Sequence, residues 1–265
     1  MKKEDLLLLI TTLIIVIVIV FNFRAELIKD IQTGEAAKVK AAEAATTGPI
    51  THLKFDEGQG ERIFDSVGNT NSGYLYGIAW TTDCISGTCL DFNGIYSFVD
   101  LGGKGYNNLF LTTQTIMFWF KADEITDTTG LYGIVMGEPT PNDYYIWFKN
   151  GELLYTIRNN VNNVVSISAP VNPGQWYYIT AVYDANARGQ TPSMYLYLNG
   201  NLIGSTKQTN LKITDVFPKA IRLGLGFVDE TTGTEGYYDG VIDELRVYDR
   251  ALTAEEIKQH YESER

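Results

Sequence analysis

The sequence predicts an all-β domain, a sandwich of two antiparallel sheets, preceded by one long N-terminal α-helix. The first 48 residues hold an apolar run and then a segment rich in Ala, Glu and Lys, which are strong helix formers. The residues at 46–49, Thr-Thr-Gly-Pro, interrupt that helix pattern. From residue 50 onward, short runs alternate between apolar and polar residues, and the 17 Tyr and 25 Gly of the chain suit strands and turns.

The predicted helix begins with an apolar run at 6–23, in which only three residues are polar. As a helix this run is about 27 Å long, close to the roughly 30 Å of a bilayer's hydrocarbon core. A cleaved signal peptide is the alternative, but residues 22–25 do not form a small-residue cleavage site. Because the helix pattern continues to about Ala45, residues 1–48 are predicted to be a membrane anchor or a filament core.

Residues 49–265 are predicted to form the β-domain, and their alternating runs give its strands. The predicted strands include 50–55, 110–121, 130–136, 144–149, 153–158, 164–168, 176–183, 194–198, 202–206 and 220–226. Asn199 and Gly200 have the composition of a hairpin turn between two of these strands.

The end of the chain reads as a strand, a tight corner and a short helix. Alternation places residues 241, 243, 245 and 247 on one face of the strand and residues 242, 244, 246 and 248 on the other. Asp243 is unusual, because a carboxylate in line with aliphatic side chains must be paired, hydrogen-bonded or bound to a metal. Thr253 followed by Glu256 has the spacing of a capping box, so the helix is predicted to start there.

The β-domain is acidic. Residues 1–48 hold six Lys or Arg and six Asp or Glu, so the formal charge of -11 lies on residues 49–265. This charge argues against nucleic acid and anionic lipid as partners of the domain, and it suits an extracellular surface or cation binding.

Cys84 and Cys89 are the two cysteines of the chain, and Gly87 lets the backbone turn between them. A disulfide is therefore predicted, which would stabilise the fold by about 2 kcal/mol and would imply an oxidising compartment. Two free thiols are one alternative. A metal site is the other, and it would need further Cys or His residues nearby.

Three parts of the β-domain carry a resemblance to a known family. They are FDEGQGERIFDSVGNTNSGYLYGIAW, then GQWYYITAVYD with MYLYLNGNLIG, and finally YDGVIDELRVYDRALTAEEI. These segments resemble LamG-like jelly-roll domains of the concanavalin A-like lectin/glucanase superfamily, over about residues 50–261. The resemblance implies a jelly roll of two curved antiparallel sheets. One departure is Tyr178, which stands where the family has His.

The resemblance also raises the question of catalysis, because the superfamily includes glycoside hydrolases. Such enzymes need a pair of carboxylates, which these relatives carry as Glu-x-Asp-x-Glu on one strand. The sequence contains no such run, and His52 and His260 lie in no recognisable triad or zinc motif. The sequence therefore predicts that the protein is not an enzyme.

A structural calcium ion is what the resemblance implies near the first and last strands. The candidate ligands are Asp56, Asp65, Asn71 and Asp243, whose oxygen atoms suit calcium. The alternative is that Asp65 and Asn71 only hydrogen-bond their own loop, and that Asp243 bonds a loop amide.

A carbohydrate site needs exposed aromatic rings beside polar groups. The segment DYYIWFKNGELLY offers the candidates Tyr144, Tyr145, Trp147 and Tyr155. About half of these side chains must face the core, because the strand is half buried.

The predicted function is a non-enzymatic cell-surface adhesin, a pilin-like subunit that self-associates through its N-terminal helix and displays the β-domain outside the cell. Type IV pilins share this outline, although MKKEDLLLL lacks the Gly or Ala before the apolar run at which prepilin peptidases cut. The alternative is a monomeric, membrane-anchored extracellular carbohydrate-binding module.

Overall fold

A computed structural model of the chain describes residues 48–68, 72–101, 113–125, 132–137, 143–158, 164–185, 191–207, 221–229 and 234–265. The chain divides into two compact units, and the second extends from Pro49 to Arg265. The predicted N-terminal helix lies outside the described residues. Within the described ranges, no helix has both the length and the apolar character that crossing a membrane requires.

The described part of the chain consists of strands and one short helix, α1 (Ala254–Ser263). In chain order the strands are β1 (Thr51–Leu53), β2 (Arg62–Ile63), β3 (Gly73–Tyr76), β4 (Ala79–Thr81), β5 (Cys89–Asn93), β6 (Phe98–Asp100), β7 (Thr113–Ala122), β8 (Tyr132–Gly137), β9 (Asp143–Lys149), β10 (Glu152–Arg158), β11 (Val164–Pro170), β12 (Trp176–Asp184), β13 (Ser193–Leu198), β14 (Asn201–Lys207), β15 (Ile221–Leu223), β16 (Leu225–Asp229), β17 (Thr234–Tyr237) and β18 (Asp239–Tyr248).

Two large sheets and a small one contain these strands. Sheet A has the order β14-β13-β12-β7-β18-β5-β4, with β1 also paired to β18, and sheet B has the order β11-β10-β9-β8-β15-β6-β3-β2. Strands β16 and β17 form the small sheet. Every described pairing is antiparallel. The predicted sandwich of antiparallel sheets is therefore confirmed.

The main apolar core combines side chains from both large sheets. Phe118 and Phe120 of sheet A and Ile146 and Phe148 of sheet B belong to it, each at most 2% exposed. The rings of Phe120 and Phe148 meet edge to face, with centroids 5.9 Å apart. Contacts of this kind bury large apolar areas, which is the main favourable contribution to folding.

The outer face of sheet A carries a second apolar cluster, and α1 packs onto it. Trp119, Tyr178 and Tyr248 of the sheet share this cluster with Ile257 of α1. The helix starts as predicted: Thr253 is the N-cap, and its side chain and that of Glu256 form a complete capping box.

The last strand departs from strict alternation. Glu244 has a φ of 56°, and the register between β18 and β7 shifts between Asp243 and Arg246. This bulge adds one residue to β18, so Ile242 and Leu245 both belong to the main core. The prediction that Asp243 and Leu245 share a face is therefore wrong.

The predicted strand 220–226 is in fact two strands, β15 of sheet B and β16 of the small sheet. Gly224 lies between them with a φ of 77°, and a Cβ atom there would clash with the ring of Phe92. The chain can leave sheet B at this point because glycine tolerates this left-handed conformation.

Candidate functional site

The outer face of sheet B is identified by the register of its strands. Tyr145 of β9 pairs with Thr156 of β10, which pairs with Ser166 of β11. The residues next to them in sequence, Ile146 and Tyr155, pair with each other and lie in the main core. Because successive residues of a strand point to opposite faces, Tyr145, Thr156 and Ser166 point away from the core.

Trp147 is the second aromatic residue of β9 on this outer face. Its Nε1 donates a hydrogen bond to Thr156 Oγ1 at 2.7 Å, and that oxygen lies 2.8 Å from Ser166 Oγ. The bond reaches across to the neighbouring strand, so the indole is fixed along the sheet while remaining partly exposed. The rings of Tyr145 and Trp147 are tilted at 46°, with centroids 6.2 Å apart. We call Tyr145, Trp147, Thr156 and Ser166 the Trp147 site.

The other two predicted aromatic residues do not contribute a described side chain to this site. Tyr155 is 1% exposed and packs in the main core, where its ring is closed to a surface ligand. Tyr144 lies in β9, but its side chain is outside the described residues. Tyr145 lies on the outer face but is itself only 9% exposed, so Trp147 is the one candidate of the four whose described side chain is partly exposed.

The predicted disulfide between Cys84 and Cys89 is confirmed, with the two Cα atoms 5.8 Å apart. We call residues 84–89 the disulfide loop. Asp243 Oδ2 accepts hydrogen bonds from the backbone N–H groups of Ile85 and Ser86 at 3.0 and 3.1 Å. Asp56 Oδ1 accepts one from Thr88 at 3.1 Å. Two of the predicted calcium ligands thus hold the disulfide loop through its amides.

Asp65, a third predicted calcium ligand, serves another loop. Its Oδ1 accepts hydrogen bonds from the N–H groups of His52 and Val67 at 2.9 and 3.0 Å. Asn71, the fourth, lies outside the described residues.

The described carboxylates do not fit a shared calcium centre. Among the described residues, one group of three potential ligands lies within 4.8 Å, and it consists of Cys84, Cys89 and Asp243. Two of its members form the disulfide, and neither Asp56 nor Asp65 belongs to it. Calcium therefore stays a prediction from sequence, without support from these carboxylates.

Asp243 is a buried carboxylate with incomplete hydrogen bonding. Its side chain is fully buried, and Oδ1 has no hydrogen-bond partner among the described residues. Burial raises the pKa of Asp243 to about 7, although the N–H groups of Ser86 and Ile85 favour the ionised form. The disulfide loop therefore compensates only part of the cost of burying this charge.

A network of charged groups joins the first strand, the last strand and α1. Glu244 Oε2 lies 2.6 Å from His52 Nε2 and 2.7 Å from Arg246 Nη2, and Arg246 Nη1 lies 2.6 Å from Glu264 Oε1. Burial alone would raise the pKa of Glu244, but the His52 hydrogen bond and the Arg246 guanidinium lower it below its usual value. The partners of Glu244 are thus other side chains of the fold, which indicates a structural role.

Aromatic residues at the other edge of sheet B were missed by sequence reasoning. Tyr74 and Tyr76 of β3 are 51% and 47% exposed, while Leu75 between them is buried. The alternation of GYLYG was the available signal, since it places both tyrosines on the face opposite to Leu75.

No curated protein sequence matches this chain. The family model described as the concanavalin A-like lectin/glucanases superfamily matches residues 93–258.

Solved structures give further likenesses of fold. The chain is similar to the binding domain of botulinum neurotoxin DC in complex with rat synaptotagmin II, with 16% identity and a TM-score of 0.64; the match covers 82% of this chain and 52% of that one. The same binding domain in complex with SialylT gives the same four values. This chain therefore spans about half the length of these toxin chains. Domain 4 of AbnA, an extracellular GH43 arabinanase from Geobacillus stearothermophilus, in complex with arabinotriose, is 20% identical with a TM-score of 0.59, covering 80% of this chain and 98% of that domain.

Proposed function

Because this chain belongs to the concanavalin A-like lectin/glucanase superfamily, we propose that its β-domain is the non-enzymatic carbohydrate-binding module of a cell-surface adhesin. The Trp147 site is the observation that carries this proposal. There, a partly exposed indole is fixed by the buried hydroxyl group of Thr156, next to the exposed hydroxyl group of Ser166 on the outer face of sheet B.

The chemistry of the Trp147 site suits a neutral sugar. A sugar ring has an apolar C–H face that packs on an aromatic ring, and hydroxyl groups around its edge that need hydrogen-bond partners. Trp147 of β9 supplies the ring. Ser166 supplies an exposed hydroxyl group on β11, which is separated from β9 by β10. Lys149, whose Nζ lies 5.6 Å from the centroid of the Trp147 ring, supplies further donors.

Two structural neighbours support a carbohydrate ligand. The arabinanase domain is described in complex with arabinotriose, and the toxin binding domain in complex with SialylT. Because these neighbours are at most 20% identical to this chain, they indicate a shared fold but not where a ligand would bind. The location of the sugar therefore rests on the Trp147 site itself.

Binding without hydrolysis is the function that the residues favour. Glycoside hydrolysis needs an acid and a second carboxylate on either side of the scissile bond. The described side chains of the Trp147 site supply hydroxyl groups and aromatic rings, and no pair of carboxylates. The sequence also lacks the Glu-x-Asp-x-Glu run of the hydrolytic relatives.

Residues 1–48 would display this module outside the cell. We propose a pilin-like arrangement, in which the apolar run at 6–23 and the Ala-rich continuation assemble into a filament core. A single helix that anchors a monomeric module in the membrane is the alternative arrangement, and it leaves the carbohydrate-binding role unchanged.

A carbohydrate array with the full-length chain in detergent micelles tests the proposed function. We expect the wild-type chain to bind at least one neutral glycan, and Trp147→Ala to weaken that binding about tenfold, which corresponds to about 1.4 kcal/mol. Leu202→Ala is the matched control, because Leu202 is exposed on β14 of the other sheet. An array without any carbohydrate ligand overturns the proposal, and so does a Trp147→Ala variant that binds as the wild type does.

A further inference from the structure

Exposed apolar side chains are concentrated near the β2–β3–β6 edge of sheet B. Nine large hydrophobic side chains are exposed among the described residues, and six of them lie between residues 64 and 96. These six are Phe64, Val67, Tyr74, Tyr76, Ile95 and Tyr96. A concentration of this kind on a folded domain marks an interaction surface.

Two arginines stack on the aromatic rings at this edge. The guanidinium of Arg62 lies 4.9 Å from the centroid of the Tyr74 ring and 5.5 Å from that of Phe64. The guanidinium of Arg222 lies 5.6 Å from the centroid of the Phe98 ring. The rings of Tyr76 and Phe98 stack with centroids 4.6 Å apart and planes at 12°. We call Arg62, Phe64, Tyr74, Tyr76, Phe98 and Arg222 the arginine–aromatic patch.

The patch lies on the same outer face of sheet B as the Trp147 site. Arg62 pairs with Tyr74, Tyr74 with Asp100, and Asp100 with Arg222. The register continues from Arg222 through β8 to Tyr145. The residues that follow Arg62 and Tyr74 in sequence, Ile63 and Leu75, belong to the main core, so this row points outward.

The charge of the patch is opposite to that of the domain around it. Its row contains the two guanidinium groups of Arg62 and Arg222 and one carboxylate, Asp100, in a chain whose formal charge is -11. A guanidinium that stacks on a ring can still donate hydrogen bonds from its N–H groups to a carboxylate or sulfate group. Arg62 uses Nη2 for a hydrogen bond to Ser72 Oγ at 3.2 Å, so it would bind an anion through its other N–H groups. The Nε atom of Arg222 is buried without a hydrogen-bond partner among the described residues.

We propose that the arginine–aromatic patch is a second carbohydrate site, specific for a glycan chain that carries carboxylate or sulfate groups. The aromatic rings of Tyr74, Tyr76 and Phe98 pack against the apolar faces of the sugar rings, and Arg62 and Arg222 bind the anionic groups. This assignment goes beyond the neutral ligand of the Trp147 site, and it depends neither on that site nor on its ligand.

The size of the patch favours a glycan over a folded protein partner. Arg62 and Arg222 lie three strand spacings apart, which is about 14 Å, and a square of that side covers about 200 Å². A stable protein interface buries roughly 800 Å² on each partner. A narrow row of rings with a cation near each end fits a short length of an extended anionic chain.

The test measures binding of the full-length chain, in detergent micelles, to polygalacturonate, dextran sulfate, neutral dextran and poly-glutamate. We expect one or both anionic polysaccharides to bind more tightly than dextran and poly-glutamate. The two anionic polysaccharides distinguish a carboxylated from a sulfated ligand. The double variant Arg62→Gln/Arg222→Gln should weaken that binding at least tenfold, and Arg62→Lys should also weaken it, because Lys keeps the charge but loses the planar fork.

Matched controls separate this site from non-specific charge and from the Trp147 site. Lys207→Gln/Lys258→Gln removes the same charge at exposed positions outside sheet B and should leave binding unchanged. Trp147→Ala should retain the anionic ligand, whereas the arginine variant should retain any neutral one. Equal losses in the arginine and lysine variants overturn the proposal. Equal binding of poly-glutamate and the anionic polysaccharides also overturns it. Circular dichroism verifies that each variant is folded.

Discussion

Asp243 makes the stability of the domain depend on pH. Burial raises the pKa of this carboxyl to about 7, compared with about 3.9 in an unfolded chain. Between these values the folded state binds more protons than the unfolded state. The stabilising contribution of protonated Asp243 is therefore fully present below about pH 4 and is lost as the pH rises through about 7.

Asp243→Asn should remove this dependence, because the amide keeps the shape of the side chain and stays neutral. We expect the melting temperature of the variant to rise relative to that of the wild type between pH 4 and pH 7, and the difference to level off above about pH 8. Thermal unfolding followed by near-ultraviolet circular dichroism across this range measures the effect. Asp249→Asn is the matched control, since Asp249 is exposed. Parallel curves for wild type and Asp243→Asn would contradict the raised pKa.

The sequence identified Asp243 as unusual but could not choose its partner. The pattern of aliphatic neighbours was local, whereas the amides that bind the carboxylate, those of Ile85 and Ser86, lie more than 150 positions away in sequence. The sequence left two partners open for Asp243, a loop amide and a structural calcium ion. The structure contains the loop contact, since the N–H groups of Ile85 and Ser86 donate to Asp243. Three of the four proposed calcium ligands bond to backbone amides.

At the scale of elements, the bulge of β18 positions charged side chains that connect β18 with β1 and with the residue that follows α1. Glu244 has a left-handed conformation that costs a residue other than glycine about 1 kcal/mol or more. In that conformation its carboxylate reaches His52 of β1 and Arg246, and Arg246 in turn reaches Glu264 beyond α1. The contacts of Glu244 with His52 and Arg246 therefore accompany a strained backbone conformation at this bulge.

Glu244→Ala should destabilise the domain by about 3 kcal/mol, because it leaves Arg246, whose side chain is only 12% exposed, without one of its partners. Urea unfolding of the full-length chain measures this change. Glu262→Ala is the control, since its pair with Lys258 is exposed, and it should cost less than about 1 kcal/mol. Similar losses for the two variants would show that the network around Glu244 contributes no more than a surface pair.

The start of α1 was predictable from the sequence, whereas the bulge of β18 was not. The capping box of α1 depends on residues three positions apart, Thr253 and Glu256, so the sequence pattern predicted it. The bulge depends on how β18 pairs with β7, and alternation alone gives no sign of an added residue. Local sequence signals were therefore sufficient to predict the helix, but not to predict which side chains of β18 point into the core.

At the scale of the whole molecule, the fold class was predictable because alternation and turn residues recur along the whole β-domain. The binding faces were less predictable, because exposure depends on which strands become neighbours. Tyr155 and Trp147 lie in the same aromatic-rich segment, but Tyr155 faces the core. Tyr74 and Tyr76, in contrast, are exposed on β3, next to the last strand of sheet B. Only the register of eight paired strands places both proposed carbohydrate sites on one surface.

Display of these sites in a filament is the last prediction, and it concerns residues 1–48. A membrane anchor needs only about 20 apolar residues, yet the helix pattern continues for about 20 more. That continuation is rich in Ala, which lets helices approach closely, and its charges nearly balance, with Arg24, Lys29, Lys38 and Lys40 against Glu26, Asp30, Glu35 and Glu43. We therefore expect electron microscopy of material sheared from the cell surface to show filaments that contain this chain.

Ile15→Asp/Ile19→Asp should abolish these filaments, because it places two charges in the apolar run that would form their core. Ile15→Val/Ile19→Val is the matched control and should assemble normally, since it keeps both positions apolar. The β-domain of the Asp variant should still fold, because the main core and the outer cluster of sheet A draw their described members from residues after Pro49. Recovery of the wild-type chain only as a detergent-soluble monomer would instead support the single membrane anchor, and the proposed carbohydrate sites would then act one molecule at a time.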